Sequence, residues 1–490
     1  MRLLFLLLLA LLASGSYAQP TAVVSAADLT ADYAILRQTL EELHPGLYKY
    51  TPKEEMDQYF AQLANQLSNE QDVRSAYRHI SELTAHVQCG HTYANFWNQS
   101  AALTEYFTEA KDKLPFTTRI MDQKVYIAQN LSNQPALQVG DQITAINGRN
   151  MDDVLAELLA LVKSDGANDG KRYFDLQLFG MDNYEAFDIY LPLVLELGTR
   201  VELQLLPYQS DTLKTASVDL TTRRARHDTL TARHGPQIET YDDFWNFELL
   251  DEQVGYLQIG TFVTWKMDLN WKQFIDDAFS TLAQQNTPNL ILDIRGNAGG
   301  NADVQAYLYK KLRKQSATQG PFRRTLRTNT ISPTIRPYLH SWSNKAFNDV
   351  ERAVPHENGF YTFKRRGLLN ATAKAEKGAY NGKVYVLADA SNSSGTYFLI
   401  HYLQQNDLAT VVGQTSGGNL QGITGGQILM LVLPHTGIAV DIPLIGYYPP
   451  TPQPNQGITP DIFVEPTIAD LVAGEDRALK TALQLVVPKE

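Results

Sequence analysis

The chain has 490 residues, of which 44% are hydrophobic, 19% charged and 10% aromatic, with a formal net charge of -11. That length exceeds what one hydrophobic core organises and predicts about three domains, while the acidic balance argues against nucleic acid as a partner. Its single cysteine, Cys89, excludes an internal disulfide framework and any multi-cysteine metal site.

Residues 1–18 read as a secretory leader: one arginine, an apolar run of about ten residues, then the small-residue corner Ser-Tyr-Ala. The apolar run is too short to span a bilayer, and no later stretch is apolar for long enough, so the expectation is a secreted or periplasmic protein without a membrane span.

Over 19–110 the pattern predicts a helical domain. Apolar residues recur at three and four (Tyr33, Leu36, Leu40, Leu43; Tyr59, Leu63, Leu67), and His44-Pro45-Gly46 ends the first helix. His91 follows the last of these helices in Cys89-Gly90-His91-Thr92, where the chain becomes extended and aromatic. A histidine there serves either as a general base projecting from a loop or as a satisfied structural residue. His86 and Cys89 lie nearby in sequence, but a metal site needs three or four ligands and no second cluster supplies them, so no metal or other cofactor is expected.

Residues 111–220 are strand-rich, with a tight Gly-Asp turn, an Asn-Gly hairpin turn and an amphipathic helix in the order LQVGDQITAINGRNMDDV. The stretch resembles a PDZ domain, which would bind an extended peptide along a sheet edge. Residues 165–195 look like an insertion in it. The polar run 221–237, TTRRARHDTLTARHGPQ, reads as a linker with a solvated arginine face.

From 240 to 487 strands and helices alternate, predicting a sheet layered with helices. Two stretches carry chemistry. NLILDIRGNAGGN is a buried strand ending in Gly299-Gly300, whose open backbone lets a ligand approach N–H groups. VYVLADASNSSGTYFLIHYL is a buried strand that turns into a helix at a corner with three serines. A serine there is either an N-cap or a nucleophile at the positive helix end. The aperiodic run 314–381 reads as a lid or a substrate-facing excursion.

Taken together, DIRGNAGGN, SNSSGTYFL, VVGQTSGG and GITPDIFVEPT, in this order, resemble the tail-specific or C-terminal processing protease family, including its tricorn-type branch. The resemblance implies an α/β, ββα-layered (ClpP/crotonase-like) serine protease domain acting on peptide or protein substrates through an acyl-enzyme. It also implies site residues. Where one branch of the family has a general-base lysine, this chain has Asn419; His91 falls where the tricorn-type branch has its histidine. The nucleophile aligns with Ser393, or with Ser394 when counted from Gly413. Oxyanion donors would be the N–H groups of Gly299 or Gly300 and of the residue after the nucleophile, Ser394 in the first alignment. Pro454 stands where the branch has a glutamate, leaving Gln453, Asn455 or Asp441 to orient the histidine. That departure keeps open a catalytically weak or non-catalytic peptide or apolar-ligand binder on the same scaffold, and an esterase.

Overall fold

The computed structural model describes residues 21–181, 185–251, 253–318, 322–363 and 372–486; the expected leader lies outside them. The helical reading of the leading segment is borne out by Ala26–Leu43, Lys53–Gln66 and Val73–His86. Ser25 and Asp72 cap the first and third through their side chains, as short polar residues do at helix starts. His44 closes the first helix: its Nδ1 accepts from Gly46 N–H and its Nε2 lies 2.9 Å from Thr92 Oγ1.

The strand-rich segment forms a sheet in the order Phe116–Met121, Lys124–Asn130, Gln142–Ile146, Arg200–Leu206, Lys214–Asp219. The amphipathic helix is Met151–Leu159, and the inserted residues carry two further helices, Asp169–Asp175 and Ala186–Val194.

Two stretches read as irregular hold regular structure, one in this part of the chain and one beyond it. The run read as a linker is the helix Arg223–His234, capped by Thr222, and its Arg226 is buried rather than solvated. The guanidinium donates to Asp188 Oδ1 at 3.0 Å, to Glu185 Oε2 at 2.7 Å and to the Leu114 carbonyl. The partners that draw it inward come from the insertion, about 40 residues away, so the local pattern carries no sign of them. The aperiodic run is not structureless either: Arg323–Thr325 and Leu339–His340 flank the long hairpin Ile423–Val432 and Ala439–Tyr448 in a four-stranded antiparallel sheet.

The second large sheet runs Ile462–Phe463, Thr410–Gly413, Lys383–Ala388, Asn289–Asp293, Val254–Ile259, Trp245–Asp251, parallel except at its last pair. Asn289–Asp293 is buried at every position, as expected of a central parallel strand covered on both faces. The helices Trp271–Gln284, Ala302–Leu312 and Ser394–Gln405 contribute Phe279, Leu308 and Leu399 to the core on one face, and Arg477–Val486 packs on the other. Gly299-Gly300 and the serine corner both sit at the carboxyl ends of neighbouring strands, where open α/β sheets bind ligands.

Candidate active site

The serine corner is locked by its neighbours before any substrate arrives. Asn392, fully buried, donates through Nδ2 to the carbonyls of Ile294 and Asn297, and Thr396 Oγ1 donates to Asn297 O at 2.8 Å. These bonds tie the strand-to-helix turn to the glycine loop beside it. Ser393 is buried, and its hydroxyl donates to Ala298 O at 3.3 Å. Ser394 is different: its φ is +51°, a left-handed conformation that a serine adopts at a cost of about 1–2 kcal/mol, and its side chain is only partly buried. A strained strand-to-helix corner with an accessible hydroxyl is the backbone geometry of a nucleophile elbow.

Gly299, at φ +98°, lies against this turn, and Gly300 follows it at φ +139°. A Cβ on Gly299 would come within 2.7 Å of Gly395 N, so only glycine lets the loop approach that N–H. The Gly299 N–H, expected as an oxyanion donor, donates instead to Asn297 Oδ1 at 2.8 Å. Gly300 is pinned against the segment that follows Val254–Ile259, where a Cβ would meet Phe262 O at 2.5 Å.

The side of the His91 ring that carries both nitrogens lies against Gly425: a Cβ there would stand 3.1, 3.3 and 3.5 Å from Cε1, Nδ1 and Nε2. Its Nδ1 is buried without a hydrogen-bond partner among the described residues. Burial, reinforced by the charge of Lys163, holds the imidazole down to about 4, so it is neutral near pH 7 and able to take a proton.

The histidine is grouped with Cys89 and Asp165: one donor atom from each lies within 4.8 Å of the others. Among the described residues this is the one set placed to share a metal ion. The Cys89 thiol donates to the Thr424 carbonyl at 3.5 Å, and burial pushes it up to about 12.

The groups expected to orient His91 are engaged elsewhere. Gln453 is exposed and donates to Thr451 Oγ1. Asp441 is buried and accepts from Asn95 at 2.6 Å and Asn98 at 2.7 Å. Asn455 Oδ1 accepts from Ala167 N–H and from Asn419 Nδ2, and Asn419 also donates to the Asp165 carbonyl. The residue at the family's lysine position is therefore a clamp on the inserted loop. Asn168 completes that clamp by donating to the carbonyls of Ser416 and Gly418. The nucleophile helix belongs to the same neighbourhood: the Tyr397 phenol is pushed up first by burial and then by the charge of Asp165.

Residues 253–464 match the model of peptidase family S41. The chain carries a peptidase S41 domain. It is thus a hydrolase of the serine peptidase class. No curated protein matches the chain. Among solved structures, mature CPAF complexed with lactacystin superposes with a TM-score of 0.61 at 16% identity, covering 94% of this chain and 99% of that one. A likeness at that identity speaks for a shared fold. The photosystem II D1 C-terminal processing protease, at 14% identity, covers 92% and 98% with a TM-score of 0.40. Among the described residues, no helix is long and apolar enough to cross a membrane.

Proposed function

We propose that the protein is an exported serine endopeptidase in which Ser394 is the nucleophile and His91 the general base. The observation that carries the assignment is the left-handed backbone of Ser394 beside the Gly395 N–H, in contrast to the buried, hydrogen-bonded Ser393. In the reaction His91 takes the Ser394 proton as Oγ adds to the scissile carbonyl. The oxyanion is held by the N–H groups of Gly395 and Gly300. The C–N bond then breaks, the imidazolium hands its proton to the leaving amine, and water hydrolyses the acyl-enzyme by the same steps. The neutral state of His91 near pH 7 supports the base role. Export is supported by the leader pattern of residues 1–18. The sheet within 111–220 is the part we assign to PDZ-like capture of a substrate segment, a role that its residue pattern supports.

The test is labelling of purified protein with a fluorophosphonate, which reacts with activated serines. Labelling is expected to survive Ser393→Ala and to disappear in Ser394→Ala and His91→Ala. Loss in Ser393→Ala with retention in Ser394→Ala would reverse the nucleophile assignment, and labelling unchanged by all three would end the Ser/His peptidase mechanism.

A further inference from the structure

The sequence holds no glutamate where the resembling branch keeps one, yet the structure brings a different carboxylate to the histidine. We infer that Asp165, from the inserted loop, is the positioning residue that orients His91 and stabilises its imidazolium. The inference rests on the reading of His91 as general base.

Three observations converge on it. A carboxylate oxygen of Asp165 lies within 4.8 Å of a His91 ring nitrogen, and His91 Nδ1 is buried with no partner among the described residues. The two groups are near neighbours without a hydrogen bond in this structure, and catalytic hydrogen bonds tighten when substrate binds. Second, Asp165 is 2% exposed and its Oδ1 accepts from Gly90 N–H at 2.9 Å, so it grips the backbone one residue before the histidine. A Cβ on Gly90 would stand 2.7 Å from Oδ2, which explains why a glycine precedes His91: only a bare backbone lets the carboxylate lie so close. Third, the loop bearing Asp165 is fixed to the catalytic sheet rather than free. Gly166 N–H donates to Gln88 O at 3.0 Å, and the Asn419, Asn455 and Asn168 amides hold its other side.

Burial raises the Asp165 carboxyl to about 6, still ionised near pH 7, and Lys163 and Lys171 favour its charge. When the imidazolium forms, it gains an anion in a desolvated pocket, where such a pair counts for more than in water. The groups facing His91 are His44, Cys89, Lys163, Asp165 and Lys171; His44 is held to about 3 by burial and stays neutral. The competing orienting group is the Thr424 carbonyl, which also faces the ring.

The experiment uses Asp165→Asn in the full mature chain, because an asparagine can still accept from Gly90 N–H while lacking the charge. On a peptide substrate kcat is expected to fall about 10³- to 10⁴-fold with little change in KM, by the logic of a histidine held in the wrong tautomer. The acid limb of kcat/KM should move from about 6, where Asp165 titrates, toward about 4, where His91 does. A second readout does not depend on activity: nitrogen-15 spectra of labelled histidine near pH 7 should place the His91 proton on Nδ1 in the parent and redistribute it between the two nitrogens in Asp165→Asn. An unchanged tautomer with kcat within about threefold of the parent would overturn the inference and assign orientation to the Thr424 carbonyl. If His91→Ala itself retains hydrolysis, the general-base reading fails, while the tautomer measurement still decides whether Asp165 pairs with the ring.

Discussion

At Ser394 the chain holds a residue that would be more relaxed as something else. The left-handed φ of +51° suits glycine, and the following residue is a glycine already. Replacing Ser394 by glycine removes the side-chain strain, offset in part by the entropy that glycine loses on folding. The expected net is a stabilisation of about 0.5–1 kcal/mol together with complete loss of fluorophosphonate labelling. Paired thermal melts and labelling would check this. A Ser394→Gly protein that melts lower than the parent would mean that the corner is not strained by its serine. The same residue shows what the sequence conceals: Ser393 and Ser394 are chemically identical neighbours. The backbone dihedral, the burial and the Ser393–Ala298 hydrogen bond separate them. Asp165 was hidden for a related reason, since its partner Gly90 is 75 positions away and nothing in the inserted loop's own pattern points to a histidine.

Among elements, the helix Arg223–His234 stands on one buried ion cluster. Arg226 lies with Glu185 and Asp188 in a desolvated pocket, and Glu185 Oε1 also accepts from the N–H groups of Phe179 and Gly180. A buried charge stripped of its partner is costly, so Arg226→Met should destabilise the protein by about 3–5 kcal/mol. Adding Glu185→Gln and Asp188→Asn should restore most of that loss by removing the orphaned charges. Denaturant titration of the three variants measures it; equal stability of Arg226→Met and the parent would show the cluster to be neutral. The periodic helices and alternating strands were legible in the sequence because their faces repeat with the period of the element itself. This helix was not, because three of its four buried residues, Arg223, Arg226 and His227, are of types that solvate readily, and the carboxylates that hold Arg226 inward belong to another segment. The catalytic sheet was the more legible half: runs such as Asn289–Asp293 are buried on both faces and are followed by a glycine loop, as parallel strands covered on both sides are.

On the scale of the whole molecule, one apolar core runs from Leu36 in the first helix through Val201 in the strand-rich sheet to Leu431 in the long hairpin. The leading segments are therefore packed into the structure that carries His91, and the inserted loop is where they meet the catalytic sheet. Gly166 occupies that junction at φ +61°, and a Cβ on it would stand 2.4 Å from Asn455 Oδ1, 2.5 Å from Asn419 Nδ2 and 2.7 Å from the Tyr50 ring. Gly148, in the Asn-Gly turn, has a comparable φ of +75° with nothing within 4 Å of the same construction. Alanine at either site incurs the same kind of backbone penalty, about 1 kcal/mol, so the two variants differ chiefly in the collision at the junction. Gly148→Ala should lower stability slightly and leave kcat unchanged. Gly166→Ala must displace Asn419 or Asn455, the amides that hold the Asp165 loop, and should cost at least tenfold in kcat beyond any effect on stability. Hydrogen exchange at Ser164, Asp165 and Asn168 would then rise in Gly166→Ala alone. Equal kcat in both variants would show that the loop's seat on the catalytic sheet is mechanically dispensable and that chemistry at Ser394 does not depend on it.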